Sequence, residues 1–333
     1  MKFSLSISAA LSLVLIACSS GNDNPTHTQS APAPFTRIDK IVADCASMPA
    51  ERQHAITDSL SLPLSDYIFL MGASSADIAT FIDSISHTAA FHMFEPEVER
   101  IFHSTTDLQN ALGTLDANLR RMFPDSPNYS YYGIISPYLQ KIMLVDSAIY
   151  IALNHYLGPN HAAYSSMPEY ARATKTPAYI PFDIAHAILS IKFPFSGNRP
   201  TAIQYFMYRG AELYAISSLT GITDTATLMG WSPQQLSCVE AQELAIWHKM
   251  AADNIIYSTD RNIALQLCEP APASRPISDS IPGGIGCYIG YRIVTSYIDK
   301  HPDTPISFIL SPDFYDDPAS LIHSGYSPKS ALH

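Results

Sequence analysis

The 333-residue chain has no apolar run of the roughly 20 residues needed to cross a hydrocarbon core as a helix. Ionisable charge is sparse at 15% of residues, and basic charge is the scarcer sign, with 19 Lys plus Arg against 30 Asp plus Glu. A net charge of −11 argues against nucleic acid as a partner, because phosphate binding draws on clustered cations. Cysteine is rare, five in all, with no CxxC and no close histidine, so no zinc site is spelled out. Gly-x-Ser-x-Gly, Ser-x-x-Lys and an intact HExxH are missing too, which leaves no motif on which to hang a catalytic residue or a cofactor, and none is expected.

The N-terminus carries the clearest signal. Lys2 is followed by a mostly apolar segment from Leu5 to Ile16, and Leu15-Ile16-Ala17 leads into Cys18. A small residue before a cysteine is a lipobox: the thiol takes the diacylglycerol before cleavage releases its amino group. Residues 1–17 are read as a signal peptide, Cys18 as the lipidated N-terminus, and 18–34 as a flexible tether rich in Ser, Asn, Pro and Thr. One acyl chain anchors only marginally, so the several chains of a mature bacterial lipoprotein are expected to hold the protein at the membrane. Removing Lys2 leaves 18 basic residues against 30 acidic ones.

Order is expected from Phe35, and no composition shift after it marks a linker, so 35–333 reads as one domain. Phe35, Ile38, Ile41 and Val42 recur at helical spacing. Further helices are expected over Ala76 to Ile85, Pro96 to Met122, Phe182 to Ile191, Thr201 to Ser217, Pro233 to Ile256 and Gly290 to Asp299. Tyr131 to Leu153, rich in Tyr, Ile and Val around turn signals, predicts two strands paired as a hairpin or meander. The fold class is therefore α+β, mostly helical, with a small sheet. Of the four cysteines beyond the lipobox, Cys45, Cys238, Cys268 and Cys287, one bridge and none are equally consistent with the spacing.

Three places could hold chemistry. Asp183, His186 and Ser190 fall on one face of an otherwise apolar helix, as two metal ligands, an acid–base pair, or simply a satisfied polar stripe. The run Gly283-Gly284-Ile285-Gly286 lacks the spacing of a dinucleotide fingerprint and the Lys-Ser/Thr of a P-loop; a turn and a close helix contact explain it better. His155 and His161 flank Leu157-Gly158-Pro159-Asn160, a turn that accounts for them.

Several stretches, in their order and spacing, resemble the gliding-motility-associated lipoprotein family usually called GldB-like. They are Leu153-Asn154-His155-Tyr156-Leu157-Gly158, Tyr208-Arg209-Gly210-Ala211-Glu212-Leu213-Tyr214, Gly230-Trp231-Ser232, Ile246-Trp247, Tyr257-Ser258-Thr259-Asp260 and Gly286-Cys287-Tyr288-Ile289-Gly290-Tyr291-Arg292. The resemblance implies an outer-membrane lipoprotein of the Bacteroidetes type that supports gliding motility or type IX secretion through envelope protein partners. The sparse acids after Cys18 favour the periplasmic face over surface export. That family is similar in turn to zincin-like metalloproteases, which implies a degenerate zincin-like domain behind the lipidated tether. On this alignment Phe182 and His186 stand at the two HExxH histidines, Asp183 at its glutamate, and Arg209 at the third, carboxylate ligand. An aromatic ring, a shortened acid and a permanent cation disfavour zinc, so a pseudoenzyme is expected, with Arg209 reaching Asp183 in the vacated metal position. The rival readings are a divergent zinc-dependent peptidase using Asp183 and His186, and a lipoprotein that captures peptide or glycan in a tyrosine-lined groove.

Overall fold

The structure, a computed structural model, describes residues 30–328 except 46, 74–76 and 198. The expected signal peptide, the expected lipidation at Cys18 and the expected tether up to residue 29 fall outside the described residues. Six helices precede most of the sheet: α1 (Ile38–Cys45), α2 (Ala50–Ser59), α3 (Ser61–Leu70), α4 (Ile78–Ser86), α5 (Ala89–Phe102) and α6 (Thr106–Met122). The expected helix from Pro96 to Met122 is thus two helices, parted at residues 103–105, and Pro96 is tolerated inside the first. The end of the tether is part of the packed structure. Ala33 is buried, and its N–H donates to the Gln109 carbonyl on α6 at 2.9 Å.

The sheet has four strands, β1 (Phe35–Arg37), β2 (Ser130–Ile134), β3 (Ile142–Val145) and β4 (Ala148–Ala152), in the order β1-β2-β4-β3. Only β3 and β4 form a hairpin, turning at Asp146 with its φ at 50°. The expectation of two strands over Tyr131 to Leu153 falls short, because β2 pairs in parallel with β4, Tyr131 opposite Ile149. Helical spacing from Phe35 also misleads. Residues 35–37 pair in parallel with Tyr131–Gly133, and the helix starts at Ile38. Main-chain bonding to a distant strand outweighs a weak local periodicity over three residues. Arg37 pins the junction, donating to both oxygens of buried Asp39 and to the Phe102 carbonyl.

After the sheet come α7 (Glu169–Arg172), α8 (Ile180–Lys192), α9 (Ala202–Thr220), α10 (Thr225–Met229), α11 (Pro233–Ala252), α12 (Arg261–Cys268) and α13 (Ile285–Lys300), then the short α14 (Ile306–Ile309), α15 (Pro312–Tyr315) and α16 (Pro318–Ser324). Their ends follow sequence signals. Ser232 and Gln235 exchange hydrogen bonds as a capping box with Pro233 at the first helical position of α11, and Gly221 ends α9 with φ at 76°. Gly284, with φ at 86°, is the turn before α13. That helix begins at Ile285, earlier than the expected Gly290, so Gly286 and Gly290 sit inside it and let it close onto α9.

A buried carboxylate ties the C-terminal helices together. Glu243 on α11 accepts from the Tyr288 hydroxyl on α13 at 3.1 Å and from the Tyr326 hydroxyl beyond α16 at 2.9 Å, with Arg292 Nε 3.5 Å away. Hydrogen bonds to a charged acceptor are stronger than neutral ones. Tyr326→Phe is expected to lower stability by about 1.5 kcal/mol, read as a fall in urea midpoint with an unchanged slope.

Candidate functional site

Helix α8 opens with Pro181 and buries Ile184, Ala185, Ile188 and Leu189 in the core. Its other side carries the polar stripe, and that stripe faces partners on neighbouring elements. Asp183 accepts from Lys141 Nζ at 2.9 Å and from the Tyr156 hydroxyl at 2.8 Å. His186 Nδ1 lies 2.8 Å from Glu212 Oε1 on α9, and the Ser190 hydroxyl donates to the same oxygen at 3.1 Å. The other oxygen of Glu212 lies 3.1 Å from Arg209 Nε, one helical turn back. Arg209 also reaches outward, with Nη1 3.7 Å from Glu269 Oε1 and 3.5 Å from the Tyr205 hydroxyl.

The pairing expected between Arg209 and Asp183 is therefore corrected. Arg209 is held by Glu212 and Glu269, and Asp183 by Lys141 and Tyr156. Glu212 is the centre of the arrangement, its side chain only 3% exposed. Burial opposes its charge, but His186, Arg209 and Ser190 outweigh that and hold it below the usual carboxylate range.

These ion pairs lie along a cavity of about 490 Å³. Phe182, Asp183, His186 and Arg209, four of the residues singled out from the sequence, all line it. Phe182 stacks on Tyr179, with ring centroids 4.5 Å apart, and makes one aromatic wall. Trp231 contributes another, anchored by its indole N–H donating to the Gly283 carbonyl at 2.9 Å. Sequence reasoning missed Lys141, Tyr156, Glu212 and Glu269. Only Glu212 had a local signal, as an acid three residues after Arg209 on a helix.

The remaining candidates stay structural. His155 is buried, its Nε2 2.8 Å from the Tyr138 carbonyl and its Nδ1 3.3 Å from Lys175 Nζ. Burial lowers its pKa, so the ring is neutral and accepts from the lysine. His161 accepts from the Ala163 N–H and closes the turn, as expected. Cys45, Cys238, Cys268 and Cys287 are all free thiols.

The zinc that the expected resemblance to zincin-like metalloproteases would imply does not fit these donors. His186 and Arg209 already occupy both oxygens of Glu212, and a guanidinium cannot be deprotonated to make way for a cation. Among the described residues no cluster of three or more His, Cys, Asp or Glu side chains could hold a metal ion.

Fold and site together define a mostly helical α+β protein, with a small mixed sheet and a deep cleft floored by ion pairs. No helix among the described residues is long and apolar enough to cross a membrane. The family model for the gliding motility protein GldB matches residues 21–328, and the chain belongs to that lipoprotein family. No curated protein and no solved structure matches it significantly.

Proposed function

We propose that the chain is a non-catalytic lipoprotein that supports gliding motility or type IX secretion by holding envelope protein partners, with the cleft between α8 and α9 as a binding surface. It is anchored through lipid on Cys18 in the outer membrane, on the periplasmic face. The observation that carries this reading is the closed shell around Glu212. A catalytic zinc needs an available carboxylate and imidazole plus an open position for water, whereas here imidazole and guanidinium are each ion-paired with the one carboxylate. Lys141 and Tyr156 likewise occupy Asp183, the group that would have to activate water. The divergent-peptidase reading loses its donors on the same ground. Capture of a peptide or glycan segment is favoured by the walls of Tyr179, Phe182 and Trp231, since flat aromatic faces suit both.

Two measurements test the proposal. Metal analysis of the full chain purified without chelator in excess zinc is expected to find far less than one zinc per chain, with no cleavage of a quenched peptide library. One zinc per chain, lost in His186→Ala, would overturn the non-catalytic reading. In living cells, a photo-crosslinking residue at Tyr170 or Glu269, both on the cavity lining, is expected to trap envelope proteins. Crosslinks confined to positions away from the cleft would remove the cleft from partner binding.

A further inference from the structure

Beside the ion-paired floor, the cleft wall holds two thiols that the proposed function does not use. Cys268 is the last residue of α12 and Cys287 lies in the first turn of α13, joined by the chain through residues 269–286. The Cys287 thiol donates to the Cys268 carbonyl at 3.2 Å. Cys268 Sγ lies so near Gly286 that a Cβ there would meet it at 2.9 Å. Both residues are buried and both line the cavity, where Glu269, next along the chain, reaches Arg209. Neither of the other cysteines shares this setting: Cys45 is on α1, and Cys238 is on α11, where its sulfur accepts from Gln242 at 3.0 Å.

We propose that Cys268 and Cys287 are a thiol–disulfide exchange site that opens on the cleft and takes a disulfide-class oxidant. The Cys287 thiolate attacks one sulfur of the oxidant RS–SR. A Cys287–S–SR bond forms, the RS–SR bond breaks, and the departing RS⁻ takes the proton that Cys287 gave up. The Cys268 thiolate then attacks the Cys287 sulfur, and a second RS⁻ leaves and is protonated by the proton from Cys268. Two cysteine thiols are oxidised to one bridge, and one oxidant is reduced to two thiols. Attack starts at Cys287 because the Cys268 thiol and the Arg209 guanidinium hold its pKa down, while burial pushes the Cys268 thiol well up. Arg209 is a positioning residue here, acting through the charge it places beside Cys287. The bridge would fasten the end of α12 to the start of α13 and fix Glu269 against Arg209, so the redox state of the compartment sets the mobility of one cleft wall.

The test uses the reduced full chain, incubated folded with oxidised glutathione, quenched with a maleimide and mapped by peptide mass. The expected result is the loss of two hydrogens, one crosslinked peptide joining 268 to 287, and maleimide on Cys45 and Cys238. The bridged form should also melt at a higher temperature than the reduced form. Arg209→Gln is expected to slow bridging about tenfold, with a steeper dependence on pH than in the parent protein. In Cys287→Ser, Cys268 should resist glutathione, and Cys287→Ala checks that result in a second background. A lasting glutathione adduct on Cys287 without a bridge, a bridge to Cys45 or Cys238, or thiols that stay reduced in the folded chain would each overturn the proposal.

Discussion

Gly290→Ala is expected to lower stability by about 3 kcal/mol, at the upper end of what overpacking a core costs. Helices α9 and α13 meet through two glycines, and a Cβ on either would land on main chain. At Gly290 it would fall on the Phe206 carbonyl, and at Gly210 on the Gly290–Tyr291 peptide. A flexible side-chain tip could turn aside; a carbonyl locked in a helix cannot. The better helix propensity of alanine returns only about 1 kcal/mol and does not change the sign. Separating these helices also disturbs the cleft, because Arg209 and Glu212 ride on α9 and Cys287 on α13. The check is a urea titration of Gly210→Ala, Gly290→Ala and the double variant. The double variant should lose less than the sum of the singles, since the first methyl opens the space the second needs. A loss under about 1 kcal/mol for Gly290→Ala would show that the helices part easily at this crossing.

That crossing also marks where the sequence stops being readable. Helices α8, α9 and α11 are legible because each carries its own periodicity and start signal, such as Pro181 and the box of Ser232 and Gln235. The start of α13 is not, since glycines that allow close helix approach look like turn glycines, and of Gly283, Gly284, Gly286 and Gly290 only Gly284 has the positive φ that a turn requires. Likewise β1 and the parallel pairing of β2 with β4 depend on partners far along the chain, which no local window contains. The site divides the same way. Phe182, Asp183, His186 and Arg209 were identified and do meet around one cavity, but their partners were misassigned. Glu212 was readable as an i, i+3 pair with Arg209, whereas Lys141 reaches Asp183 from the bend just before β3, 42 positions away.

Glu212→Ala is expected to cost about 3–5 kcal/mol, because it leaves the Arg209 guanidinium beside the core with only a more distant carboxylate at 3.7 Å. Glu212→Gln keeps the shape and loses the charge, so its cost should be smaller, about 2 kcal/mol. His186→Ala should cost under about 1 kcal/mol, since the imidazole is 42% exposed and water replaces its bond. Arg209→Met combined with Glu212→Leu should recover most of the loss, as apolar replacements of a buried pair often do. The sign of the pH dependence follows from the direction of the shift. The folded pKa of Glu212 lies below the ordinary 4.5, so its charge contributes stability above that value, and the contribution is lost as pH falls through the folded pKa. The gap in melting temperature between the parent protein and Glu212→Gln should hold steady from pH 7 down to about 5 and narrow below about 4.5. A gap that widens on acidification would mean that the carboxylate is protonated in the folded state. A protonated Glu212 would leave Arg209 without its partner, and the case for a cleft organised by fixed charges would fail with it.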